Sequence, residues 1–340
     1  MLLLHRDNRH IYETVDYIKV LDKETGMLLK VLAGAALVGV IGELAIVRYF
    51  YNRTMIRSNA KREKTQEMAG TDWDLYIPHI RECKAKLQET PHEDMYITSN
   101  DGLKLHATYF PTEGSKKVVI CFHGYTSEGL NDYSTLAIFY QKHGYNLLLV
   151  DERAHGKSEG KYIGFGCLDR HDAKLWIEKM IEVLGEDCKI LLHGDSMGGS
   201  TVLMTTGLEL PPQVKAAVSD CAFTSAWDVF TAVLKNQYHL PAFPMMQLSS
   251  WLVHKNAGYY LDECDARKEV AKAKIPILFL HGDADSFVPC SMVQELYDAC
   301  NTEKKLVIIE GAGHVESCYR DAKLYEGTIE EFIFPIMERE

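Results

Sequence analysis

The feature that most restricts this chain is the run Gly194-Asp195-Ser196-Met197-Gly198, a Gly-x-Ser-x-Gly pattern with contrasting neighbours. Before it, Ile190, Leu191 and Leu192 are apolar in succession, as in a buried strand. After it, residues 197–209 read as a helix. A chain that passes from strand to helix in so few residues must turn sharply. Glycines on both flanks let strand and helix come closer than side chains allow. A serine at the apex of such a turn stands in the open, with its hydroxyl free to attack a carbonyl. Without its flanks the pattern would be only a glycine-rich turn.

A nucleophilic serine needs a base, and the base needs an orienting acid. Both occur later in the chain, acid first. The apolar run Ile275–Leu280 ends in His281-Gly282-Asp283-Ala284-Asp285, which puts two carboxylates on one loop. The run Leu306–Ile309 leads to Gly313-His314. In parallel sheets, sites form at the carboxyl ends of strands, so these distant groups can converge. His314 would take the proton of Ser196 and return it to the leaving group. Asp283 or Asp285 would hold the imidazole tautomer. His123, His193 and His281 also end strands and read as structural. An oxyanion needs donors. The Met197 N–H is one, and the Tyr125 N–H, in the loop His123-Gly124-Tyr125-Thr126 after the strand Lys117–Phe122, is the other.

With these pieces in place the chain resembles the α/β-hydrolase superfamily from about Met95 to its C-terminus. The resemblance rests on His123-Gly124, the Gly194–Gly198 turn, Gly282-x-x-Asp285-x-x-Val288-Pro289 and Gly313-His314. It also rests on Asp151-Glu152-Arg153-Ala154-His155-Gly156-Lys157-Ser158-Glu159-Gly160, where Ala154 stands in place of the usual glycine. More narrowly, the chain is similar to bacterial membrane-anchored hydrolases grouped with the serine aminopeptidase S33-like and esterase-lipase proteins. The resemblance assigns Ser196, Asp285 and His314 to a triad; the residues themselves suggest no metal and no cofactor.

The organisation comes from periodicity. Residues 1–26 are polar. Residues 27–51 carry an apolar core, Val31–Val47, broken by Glu43 and followed by Arg48-Tyr49-Phe50-Tyr51. That length can just span a bilayer, with an aromatic belt at one end. The excess of Lys and Arg after the core favours the cytoplasmic side of the cell membrane for the C-terminal domain. Residues 52–90 read as a charged linker with a helix over Trp73–Leu87. Residues 91–340 read as an α/β domain. It opens with a β-hairpin about Asn100-Asp101-Gly102. Alternating strands and helices then imply a mostly parallel sheet covered on both faces. The hairpin gives it an antiparallel edge. Residues 222–270 interrupt the rhythm and read as a small helical lid. Its Phe223, Trp227, Phe230 and Met246 are candidates to line an apolar substrate pocket.

Composition excludes other classes. A net charge of −11 argues against nucleic-acid binding. Phosphate-loop signatures are absent. Nine cysteines without a Cys-x-x-Cys pair argue against zinc and redox motifs, and suggest reduced thiols. The expected activity is hydrolysis of small-molecule carboxylic esters with apolar or aromatic acyl groups, through an acyl-enzyme. The bilayer is the other expected partner, through the N-terminal helix; the oligomeric state stays open. One alternative is an aminopeptidase, with Asp262, Glu263 and Asp265 holding the substrate ammonium. The other is a non-catalytic, membrane-anchored binding protein of the same fold.

Overall fold

The structure, a computed structural model, describes residues 30, 42–57, 67–68 and 71–339. The chain divides into two compact units, 1–52 and 53–340. In the first, residues 42–52 are helical. Most of the expected 27–51 anchor lies outside the described residues, as does the 1–26 segment. No described helix is long and apolar enough to cross a membrane.

The second unit is built on eight strands: β1 (Glu93–Thr98), β2 (Lys104–Phe110), β3 (Lys117–Phe122), β4 (Asn146–Asp151), β5 (Lys189–Asp195), β6 (Val214–Asp220), β7 (Ile277–Gly282) and β8 (Lys304–Ile309). They lie in the order β8-β7-β6-β5-β3-β4-β2-β1. Only β2 runs against its neighbours, pairing antiparallel with both β1 and β4. The inner strands are continuously apolar because both faces are covered. One face carries Val119, Cys121, Leu147, Leu149, Leu191, Val218, Leu278 and Leu280. It packs on α1 (Ile77–Glu89), α2 (Gly129–Lys142) and the C-terminal helices through Leu87, Tyr133, Tyr140, Tyr325 and Ile333. The residues between, including Ile120, Leu148, Leu192 and Phe279, are equally buried on the opposite face. The helices on that side are α3 (Asp169–Leu184), α4 (Met197–Thr206), α7 (Ala266–Val270) and α8 (Ser291–Ala299).

The lid contains α5 (Ala226–Asn236) and α6 (Met245–Ala257), followed by α7. Pro241 and Pro244 lie between the first two, where a helix cannot continue. Three segments depart from the sequence reading. The helix expected from Trp73 begins as a 3-10 turn, Trp73–Leu75, and turns α-helical only at Ile77, with Pro78 in its first turn. The strand expected from Ile275 starts at Ile277, beyond Pro276, which has no N–H for the ladder. The single helix expected over 319–337 is instead α9 (Ser317–Arg320), α10 (Ala322–Thr328), a π-turn at Ile329–Ile333 and α11 (Phe334–Glu338). The π-turn precedes Pro335, whose ring displaces the regular helical bond.

Candidate active site

Strand β5 ends at Asp195, and α4 begins two residues later. Ser196, between them, has φ 54° and ψ −110°, backbone that a side chain rarely tolerates. The surroundings impose it. A Cβ at Gly198 would lie 1.9 Å from the Phe122 carbonyl oxygen, and one at Gly194 would lie 2.1 Å from the Gly198 oxygen. Only glycines let β5, β3 and α4 meet here. The Ser196 N–H donates to the Asp220 carbonyl at 2.8 Å, which pins the turn to β6.

The three residues expected at the site converge. Ser196 Oγ lies 2.8 Å from His314 Nε2. His314 Nδ1 lies 2.7 Å from Asp285 Oδ2. Asp285 Oδ1 accepts the N–H groups of Phe287 and Val288, each at 2.8 Å, so the carboxylate cannot rotate away. Asp283 sits elsewhere: its exposed carboxylate accepts the Gly311 N–H at 2.6 Å. Burial alone would raise the Asp285 pKa. The charge of His314 and the hydrogen bonds from His281 and His314 outweigh it and hold the group below the usual carboxylate range.

His281 is the residue the sequence did not reveal. Its Nε2 lies 3.0 Å from the Val288 carbonyl and 3.3 Å from Asp285 Oδ2, so a second imidazole faces the same carboxylate. Burial lowers its pKa, but the bond and the charge of Asp285 prevail and raise it. His123 and His193 hold the scaffold. His123 Nε2 accepts the Glu152 N–H at 3.0 Å. His193 is clamped between the hydroxyls of Tyr140 and Tyr325, at 2.9 and 3.0 Å.

The loop expected to supply an oxyanion donor is tightly fixed. The Gly124 N–H donates to Asp132 Oδ2 at 2.9 Å, and Ser127 Oγ donates to Asp132 Oδ1 at 2.6 Å. A Cβ on Gly124 would lie 3.6 Å from Ser196 Cβ, so the Tyr125 peptide runs close to the serine. Met197 opens α4 beside it. The Tyr125 ring stacks on Phe165 at 5.5 Å. Phe165 in turn meets Phe230 at 5.0 Å and Phe223 at 6.4 Å. Of the four lid candidates, Phe223 and Phe230 join this aromatic group. Met246 is buried in α6, and Trp227 is half-buried in α5. Phe165 lies outside the lid, in a loop with no periodic signal, which is why its role was not legible.

Among the described residues, one cluster has metal-ligand composition: Cys221, Asp285 and His314, with ligand atoms within 4.8 Å of one another. Burial pushes the Cys221 thiol well above its ordinary pKa, and the nearby Asp220 adds to this. The imidazole and carboxylate already bind each other.

A strained serine, an imidazole and an oriented carboxylate thus meet at the ends of β5, β7 and β8, and comparisons with known proteins bear on the fold that carries them. A family model described as Serine aminopeptidase, S33, matches residues 113–258. The chain has the fold of the α/β-hydrolase superfamily and is similar to its members. It is 27% identical to the uncharacterized protein YqkD of Bacillus subtilis over 223 residues, 66% of this chain and 72% of the relative. It is 23% identical to protein bem46 of Schizosaccharomyces pombe over 288 residues, 84% and 86% of the two chains. The solved structure of the Pyrococcus furiosus esterase Pf2001 aligns with a TM-score of 0.61 and 26% identity, covering 74% of this chain and 94% of that one. These likenesses support a hydrolase.

Proposed function

We propose that the protein is a serine hydrolase that cleaves carboxylic esters with apolar or aromatic acyl groups. The observation that carries the reading is the unbroken relay from Ser196 Oγ to His314 Nε2 at 2.8 Å and from His314 Nδ1 to Asp285 Oδ2 at 2.7 Å. In this reading Ser196 Oγ attacks the ester carbonyl while its proton passes to His314 Nε2. The N–H groups of Met197 and Tyr125 receive the developing oxyanion. Asp285, held ionised, stabilises the imidazolium. His314 then protonates the departing alkoxide, leaving an acyl group on Ser196. Water, deprotonated by the same imidazole, releases the acid. The aromatic group of Tyr125, Phe165, Phe223 and Phe230 supplies an apolar wall beside the serine and favours a flat or apolar acyl group.

The peptidase alternative has weaker support. Asp265 caps α7 and pairs with Arg267 at 2.8 Å, and Glu263 accepts the Tyr260 N–H at 3.0 Å. Two of the three carboxylates named for an ammonium group are therefore engaged. The Pyrococcus furiosus relative is described as an esterase, which points the same way.

The test compares wild type with Ser196→Ala on p-nitrophenyl esters of graded acyl length, a hydroxycinnamoyl ester and aminoacyl amides. The variant should lose about 10³-fold or more in kcat and all labelling by a fluorophosphonate. Wild-type turnover by Ser196→Ala would overturn the reading. A preference for aminoacyl amides would move it to the peptidase.

A further inference from the structure

A base at the end of a loop is only as well placed as the loop. His314 lies in the turn after β8, where Gly311 has φ 68° and Val315 has φ 58°. A β-branched residue in that region is strained, so the loop holds its shape only if its neighbours impose it. On one side, Ser317 Oγ donates to Asp220 Oδ1 at 3.0 Å. On the same side Asp283 Oδ1 accepts the Gly311 N–H at 2.6 Å. Further clamps come from a segment that precedes the eight-stranded sheet entirely.

Thr71 Oγ1 donates to the His314 carbonyl oxygen at 3.2 Å. Tyr76 Oη donates to Glu316 Oε1 at 2.6 Å. The other oxygen, Glu316 Oε2, accepts the Gly313 N–H at 2.6 Å. The His314–Val315 peptide unit is thereby tied directly, and the Ala312–Gly313 unit just before His314 through a buried carboxylate, to residues more than 200 positions earlier. The rings reinforce the bonds: Trp73 meets Tyr319 edge-on at 5.8 Å, and Tyr76 lies over it at 5.2 Å. Thr71 and Trp73 are buried. Burial and Glu316 push the Tyr76 pKa up to about 12, so its hydroxyl remains a donor throughout the working range. This segment lies outside residues 113–258, which the family model matches.

We propose that Thr71 and Tyr76, with Glu316 as intermediary, are positioning residues for the base: they fix the backbone of His314 so that Nε2 meets Ser196. The inference rests on the ester-hydrolase reading above. It makes the hydrolytic site depend on chain that lies before β1, so this segment belongs to the working enzyme.

The test uses the full chain and near-isosteric changes. Thr71→Val and Tyr76→Phe each remove one donor and little volume. Each should lower kcat on a p-nitrophenyl ester about threefold to tenfold, with KM within twofold, because the aromatic wall is untouched. The rate of fluorophosphonate labelling of Ser196 should fall in parallel. Thr71→Ser, which keeps the hydroxyl, should restore kcat. Melting temperatures measured on the same samples separate loss of alignment from loss of fold. The inference is overturned by a Thr71→Val/Tyr76→Phe double variant with wild-type kcat and labelling rate. It is equally overturned if Thr71→Ser is as impaired as Thr71→Val, or if kcat recovers fully at a temperature where the variants are wholly folded. None of these results touches the ester-hydrolase reading, which fails if Ser196→Ala stays active or if aminoacyl amides are the preferred substrates.

Discussion

At the scale of single residues, the two carboxylates of the β7 loop differ in what they can do. Asp285 has one oxygen fixed by two backbone N–H groups and the other against His314. Asp283 is exposed and holds a turn. In the proposed mechanism Asp285→Asn should lower kcat about 10³- to 10⁴-fold, because an amide in that place favours the wrong imidazole tautomer. Asp283→Asn should stay within about threefold of wild type. Equal losses in steady-state assays of the two would contradict the division. Spacing alone left the two acids open, since either can reach a nearby loop; the 2.7 Å contact of Asp285 with His314 favours Asp285. His281 was legible only as a strand-end histidine, because its 3.3 Å approach to Asp285 depends on how the loop folds back. Ala154 has φ 63°, which accounts for the glycine that the related loop pattern carries at this position.

At the scale of elements, the strand–turn–helix at Ser196 is a steric necessity. A methyl group on Gly198 would enter the backbone of β3, and one on Gly194 would enter α4. Neither backbone can yield without moving α4 away from β3 or from β5. Gly198→Ala should therefore destabilise the fold by about 3 kcal/mol or more, read as soluble yield and denaturant midpoint. At Gly124 the nearest atoms are 3.5 Å or more from an added Cβ, which is ordinary contact. Gly124→Ala should fold normally. A normally folded Gly198→Ala would show that the close approach is not required. These contacts explain why this element was legible from sequence: apolar run, glycines and helix each had one reading. The C-terminal helices were less legible. Their periodicity continues across the π-turn and Pro335, so the break shows only in the backbone.

At the scale of the whole molecule, alternation of apolar runs and helices was enough to give the sheet, its coverage on both faces and its antiparallel strand, because each is a local pattern repeated. Contacts between distant segments were not legible. Phe165 against the lid, and Thr71 and Tyr76 against the His314 loop, join pieces with no shared periodicity. The same division governs how the protein balances durability against reactivity. Ser196 sits in the left-handed half of backbone space, where glycine would rest without penalty. Ser196→Gly should thus unfold later than the parent, by about 1 kcal/mol at the melting transition, while turning over nothing. A lower melting point for that variant would mean that the serine's hydrogen bond outweighs its strain. If the higher one is found, heat tolerance has been surrendered at one position to keep a hydroxyl poised.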